Sequence, residues 1–292
     1  MMTRSALTAL IRRKRSFLCV GLDPDLERIP ECIRNYSDDP LFDFNRRIVD
    51  ATIEHAVAFK PNVAFYEMYG SKGWESLEKT MAYIAAHEAG PVFTIADAKR
   101  ADIGNSSAAY ARTFFESMPF DAVTVSPYMG HDSVRPFLSY PGKWAVILAI
   151  TSNPGAADFQ VLPAGANDTV AANIRGSERK LYEVVMNKCM GWGSSDNMMF
   201  VAGATRAGML GSLRQLVPEH FFLIPGVGAQ GGDLSAIASV AMNKDVGILV
   251  NSSRGILYAS PGDDFDIKAG EAAAVLQEEM EIILGRRFSW AR

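Results

Sequence analysis

The sequence predicts a closed (β/α)8 barrel, an α/β fold in one domain spanning residues 1–292. Three observations lead there. Short β-branched runs alternate with amphipathic helical stretches through eight successive pairs, a pattern that implies a parallel sheet. The strand runs are apolar along their length, as expected of parallel strands covered on both faces. An open doubly wound sheet would carry a glycine fingerprint after its first strand, and Gly21-Leu22-Asp23-Pro24-Asp25 is not one.

The elements follow in order. An N-terminal helix ends in Arg12-Arg13-Lys14-Arg15, expected to be a solvated terminus. FLCVGL at 17–22 is the first strand, and helix 41–57 leads to the second, at 58–62. Helix 74–89 precedes the run Val92-Phe93-Thr94-Ile95-Ala96, a strand ending at Asp97. Helix 105–117, strand 121–125, helix 131–139 and strand 145–151 come next. A Gly-, Ala-, Asn- and Pro-rich loop at about 152–176 is too long for a plain connector and reads as functional. Helix 177–190, strand 198–202, helix 206–216, strand 221–225, helix 233–242, strand 246–250 and helix 267–285 complete the alternation. Met198-Met199-Phe200 reads as barrel core.

Composition narrows the function classes. With 292 residues, 48% hydrophobic and 21% charged, there is ample apolar material for a core. A net charge of −4 argues against a nucleic-acid partner. No apolar run reaches the roughly 18 residues of a membrane span, and no signal-peptide core is expected, since Ile11 runs straight into four basic residues. Cys19, Cys32 and Cys189 have neither metal-like spacing nor an even count, which predicts a reducing, cytoplasmic setting. His55, His87, His131 and His220 show no metal-like pairing and are expected to be structural.

Barrel enzymes place their sites at the C-terminal ends of the strands. The polar residues there begin with Asp23 after the first strand and Lys60 on the second. Singly, each has a plain alternative: a cap for the next helix, or a snorkelling strand end. The third strand ends in Asp97-Ala98-Lys99-Arg100-Ala101-Asp102. Strand alternation points Asp97 and Lys99 the same way, with Asp102 in the turn before a helix. Such a hexamer alone also fits a solvated charge cluster. The seventh strand leads into a glycine-rich segment with Gly228 and Gln230, and the eighth ends at Asn251-Ser252-Ser253-Arg254-Gly255. Loops after strands seven and eight are the usual phosphate position, where glycines admit backbone N–H groups and Arg254 can grip an oxyanion with two parallel bonds.

Together these motifs resemble the orotidine 5′-phosphate decarboxylases. DAKRADI at 97–103 resembles that family's D-x-K-x-x-D-I signature, and GNSSAAYA at 104–111 its type 2 branch. PGVGAQGGD at 225–233 and NSSRGI at 251–256 resemble its phosphate motifs, and SNPG at 152–155 its pyrimidine-contacting segment. GLDPD at 21–25 and FKPN at 59–62 fit its aspartate and lysine. The resemblance implies a homodimeric, cofactor-free and metal-free enzyme of UMP biosynthesis. Asp97 would stand against the substrate carboxylate, and Lys99 would protonate the ring carbon. Lys60 and Asp23 would hold the ribose, Ser152 the pyrimidine, and Gln230, Arg254, Gly228 and Ser253 the phosphate end. Asp102 and Ser106 would reach into the partner's site; the family usually has Thr where this chain has Ser106, which keeps the hydroxyl and loses a methyl. Two other readings are a metal-dependent sugar-phosphate lyase or isomerase on a related barrel, and a non-catalytic nucleotide-binding barrel.

Overall fold

Eight parallel strands close into a barrel in the computed structural model, which describes residues 2–164, 179–203, 207–226 and 233–291. The strands are β1 (Leu18–Leu22), β2 (Ala58–Pro61), β3 (Phe93–Arg100), β4 (Ala122–Val125), β5 (Trp144–Ile150), β6 (Met198–Ala202), β7 (Phe221–Pro225) and β8 (Ile248–Ser252). Each pairs with its neighbour in sequence, and the barrel closes where Leu18 and Cys19 of β1 face Val250 and Asn251 of β8. The predicted barrel therefore stands and each expected strand has its counterpart, although the third runs on to Arg100 and the eighth begins only at Ile248, since Val246 and Gly247 take positive φ. The apolar runs read correctly because barrel strands are covered inside by one another's side chains and outside by helices. β1 and β6, for example, are buried at every residue.

The helices longer than one turn are α1 (Arg4–Lys14), α2 (Pro40–Thr52), α3 (Gly70–Ala86), α4 (Gly104–Arg112), α5 (His131–Leu138), α6 (Leu181–Met190), α7 (Ala207–Leu216), α8 (Leu234–Ala241) and α9 (Phe265–Arg287). Local chemistry sets their ends. Asp39 caps α2 by accepting from the Phe42 N–H, with Pro40 at the first helical position. Asp233 caps α8 by accepting from the Ala236 N–H. The helix expected over 41–57 stops at Thr52, because the chain must turn before β2; the His55 and Ala56 N–H groups both fold back onto the Thr52 carbonyl. The helix expected over 74–89 starts earlier, at Gly70, whose φ of +63° suits glycine. The one expected over 105–117 is α-helical only to Arg112 and then loosens into a π-turn, Thr113–Ser117, that buries Phe114 and Phe115.

The basic cluster at the end of α1 is not simply solvated. Lys14 Nζ donates to the carbonyls of Ile53 and Ala56, and burial lowers its pKa to about 8. Arg15 pairs with Glu281 at 2.5 Å, and the Arg12 guanidinium lies 5.2 Å from the Trp290 ring centre. The cluster thus ties α1 to the turn that precedes β2, to α9 and to Trp290. At the same end of the barrel the Trp144 indole donates to the Met2 carbonyl at 2.8 Å. Of the loop at 152–176, residues up to 164 are described. They form a short helix, Ala156–Phe159, and a two-residue strand, Pro163–Ala164, paired antiparallel with Arg179–Lys180.

Candidate active site

The C-terminal ends of β1 to β4 assemble a charged array. Lys60 Nζ lies 2.7 Å from Asp97 Oδ2, and Lys99 Nζ lies 2.6 Å from Asp97 Oδ1. Thr124 on β4 donates its hydroxyl to the same Asp97 Oδ1 at 3.2 Å and accepts the Lys99 N–H at 2.8 Å. Lys60 is buried and Lys99 about half exposed, so one ammonium is enclosed in the cavity wall and the other faces the open side. Burial alone would raise the Asp97 pKa, but Lys60 and Lys99 outweigh it and hold the carboxyl at about 2. Burial likewise opposes the Lys60 ammonium, and Asp97 and Asp23 outweigh it, raising the Lys60 pKa.

Asp97 and Lys99 do converge as expected, but regular alternation is not the cause. Ala96 faces Val123 and Arg100 faces Val125, so β3 carries extra residues against β4 and bulges there. Lys99 sits in the bulge with a φ of +48°, in the left-handed region unusual for a lysine. A strained backbone at a charged side chain marks a site whose surroundings impose the conformation.

Asp23 stands beside this array. Its Oδ1 is buried with no hydrogen-bond partner among the described residues, while its carbonyl accepts from the Tyr258 hydroxyl at 3.0 Å. That hydroxyl also accepts the Asp25 N–H at 3.0 Å, so Tyr258 pins the loop that carries the aspartate. Gly21 is required for a different reason. A Cβ there would lie 1.9 Å from Ser253 Oγ, so only glycine lets β1 pass the β8 end.

These groups line a cavity of about 450 Å³. Asp23, Lys60, Asp97 and Lys99 form one wall, and Leu148, Val201, Leu223 and Pro225 an apolar wall. Ser152 and Ser253 also line it. Asn62 and Thr124, not singled out in the sequence as site residues, line it too, as does Asn251 at the end of the eighth strand. Asn62 had a readable signal, a polar residue just past the end of β2, whereas Thr124 sits inside the apolar run of β4. Asn251 accepts from the Cys19 thiol and donates to Ser253 Oγ at 3.1 Å.

Other expected residues are not brought to this cavity within one chain. Asp102 is half-buried, and its Oδ1 accepts the Ile103 N–H at 2.7 Å rather than meeting Lys99. Ser106 is exposed on the first turn of α4. Arg254 opens a short helix, Arg254–Leu257, and is exposed, without an ion pair among the described residues. Gly228 and Gln230 lie outside the described residues. None of the four histidines lines the cavity, and among the described residues no group of three or more His, Cys, Asp or Glu side chains is placed to hold a metal ion.

A cavity with an ion array on one side and an apolar wall on the other suits a flat, polar, anionic ring. The sequence profile of the orotidine 5′-phosphate decarboxylase / HUMPS family matches residues 16–264. The chain is 50% identical over 288 residues to the orotidine 5′-phosphate decarboxylase of Flavobacterium johnsoniae, covering 98% of this chain and 100% of the relative. Its fold is similar to the OMP decarboxylase of Leishmania donovani, with a TM-score of 0.78 and 34% identity over 97% of this chain and 99% of that one. It also resembles the UMP synthase of the same organism, with a TM-score of 0.79 and 36% identity, but covers only 57% of that longer chain.

Proposed function

The chain belongs to the orotidine 5′-phosphate decarboxylase / HUMPS family, and on that premise we infer that it converts orotidine 5′-phosphate to uridine 5′-phosphate and carbon dioxide. The observation that carries this reading is the Lys60–Asp97–Lys99 array in the cavity wall. Losing carbon dioxide leaves an electron pair in the ring plane at C6, with no adjacent π system to take it. A fixed cation aimed at that carbon is the remaining way to stabilise the charge. The bond from C6 to the carboxylate breaks, its electron pair stays on C6, and the Lys99 ammonium gives a proton to that carbon. Lys99 then regains a proton from solvent. This chemistry calls on no metal or organic cofactor.

Asp97 would face the departing carboxylate. Two unit charges ~4 Å apart repel by about 4 kcal/mol at an effective dielectric near 20. Reactions of this difficulty need barrier reductions of about 20 kcal/mol or more, so repulsion is a minor share and electrostatic stabilisation by Lys99 carries more. The unpartnered Asp23 Oδ1 suits a ribose hydroxyl, which would supply the missing donor, and Lys60 beside it would hold the second. Ser152 would contact the pyrimidine. Gly228, Gln230, Ser253 and Arg254 would hold the phosphate, whose binding energy can be used to order the site and expel water.

The enzyme would work as a homodimer, with Asp102 and Ser106 completing the partner's site. Supporting this, Met68, Ile103, Tyr128 and Met129 are apolar and exposed around the β2–β4 ends. Three free cysteines fit a reducing cytoplasm, and no helix among the described residues is long and apolar enough to cross a membrane.

The test is direct assay. Purified protein should consume orotidine 5′-phosphate, read as loss of its ultraviolet absorbance, equally with and without EDTA. Lasting inactivation by the chelator would favour a metal-dependent lyase, and binding without turnover would favour a nucleotide-binding barrel.

A further inference from the structure

We propose that Gln160 is a positioning residue that fixes the pyrimidine-contacting segment Ser152-Asn153. The proposal rests on the reading of Ser152 given above. Gln160 does not line the catalytic cavity, and it follows the short helix Ala156–Phe159 in the loop after β5. Its side chain reaches back to Thr151 through both ends of its amide. Gln160 Oε1 accepts the Thr151 N–H at 2.8 Å, and Gln160 Nε2 donates to Thr151 Oγ1 at 2.9 Å. The Thr151 hydroxyl, with its acceptor side taken by Gln160, donates onward to Asn153 Oδ1 at 2.6 Å. One amide therefore sets the backbone just before Ser152 and the side chain just after it.

The clasp is needed because the strand end offers no ladder to hold these residues. Pairing between β5 and β6 shifts register between Leu148 and Ile150, and β5 ends there. Below the segment the backbone of Gly203 closes in: its N–H donates to the Ile150 carbonyl at 2.8 Å, and a Cβ on it would lie 2.5 Å from the Ser152 nitrogen. Gly203 thus forms a floor against which residues 151 and 152 press, and Gln160 holds them from the far end of the loop. Gln160 is itself anchored, since its carbonyl accepts the Tyr182 N–H of α6 at 2.9 Å and its N–H donates to the Ala156 carbonyl. Two hydrogen bonds through a planar amide fix orientation as well as distance, and the segment they orient lines the cavity.

The experiment is a double-mutant cycle of Gln160→Ala with Ser152→Ala, read three ways: kcat/KM for orotidine 5′-phosphate, inhibition by UMP, and inhibition by ribose 5-phosphate, which lacks the ring. Gln160→Ala should lower kcat/KM roughly 30-fold, as misplacement of a contact does, and weaken UMP roughly 10-fold. Inhibition by ribose 5-phosphate should stay within about twofold, because that ligand does not use residues 152 and 153. On the Ser152→Ala background the added loss should shrink to within about threefold. Fully additive losses, or equal weakening of UMP and ribose 5-phosphate, would overturn the proposal. So would Ser152→Ala with wild-type activity, since nothing would then be left to position. Should Gln160→Ala fail to fold, Thr151→Val removes the hydroxyl relay alone and should weaken UMP roughly threefold with ribose 5-phosphate unchanged. Wild-type protein that does not consume orotidine 5′-phosphate would count against the decarboxylase reading itself, an outcome separate from any of these.

Discussion

The two halves of the catalytic face are built differently. On the β1–β4 side, each charged group is set by the barrel: Lys60 is buried, Asp97 receives two ammonium groups and a hydroxyl, and the Lys99 backbone is held in a bulge. On the β8 side, Arg254 stands exposed on a short helix, with no ion pair among the described residues to hold it. The first half is arranged before any ligand arrives. The second offers an exposed cation, which the proposed reading gives to the phosphate of the ligand. Preorganisation where charge develops, and freedom where remote binding energy is collected, is the division expected of an electrostatic catalyst.

This contrast can be broken by substitution. The largest expected effect is on turnover: Lys99→Ala should lower kcat by roughly 10⁴-fold or more, losing both the stabilising charge and the proton donor. Its thermal midpoint should barely move, because the side chain is half exposed. Near-normal turnover would remove Lys99 from its role.

Asp97→Ala should cost stability as well, by about 3–5 kcal/mol in urea unfolding, because buried Lys60 loses its ion-pair partner and keeps only the more distant Asp23. Arg254→Ala should stay within about 0.5 kcal/mol of wild type in the same measurement. Equal stability losses would erase the distinction between the two halves. The Asp97 contribution has a defined pH window. Its folded pKa of about 2 lies below the ordinary 3.8, so the stability it confers is present above pH 3.8 and is lost as pH falls towards 2.

Arg254→Ala should instead lower kcat/KM roughly 100-fold for orotidine 5′-phosphate and far less for the phosphate-free nucleoside. Equal losses on both would contradict a phosphate grip.

The smallest effect lies at the opposite end of the barrel. His220 is buried against Phe200, with neither ring nitrogen hydrogen-bonded among the described residues. Burial first, and then Arg4 and Arg214 nearby, lower its pKa to about 4 against an ordinary 6.5. The unfolded chain therefore binds the proton more readily, and stability falls as pH drops from 6.5 towards 4. Replacing it by Phe should flatten the pH dependence of unfolding between pH 7 and 4.5 by about 2 kcal/mol. An unchanged slope would reject that assignment, leaving the active-site contrast intact.

The eight strands were legible because burial on both faces leaves apolar runs, broken chiefly near the C-terminal ends by residues such as Lys60 and Asp97. Helix ends were less so: residues 53–57 continue an apolar pattern, and only the need to enter β2 stops α2 at Thr52. The charged residues of β1–β3 could be read because an ion cluster at a strand end has few structural uses. How they meet could not, since nothing in the letters Ala-Lys-Arg announces a left-handed lysine. Thr124 was hidden by its small size in an apolar run. Gln160 was hidden because its partner lies across a loop, where neither helical nor strand periodicity applies.

On the proposed reading a prebuilt ammonium meets the reacting carbon. A crystal structure with a uridine 5′-phosphate analogue bound tests it most directly. The Lys99 ammonium should lie within hydrogen-bond reach of ring atom C6, still paired with Asp97. A ring seated elsewhere, with Lys99 turned to bulk solvent, would contradict the account.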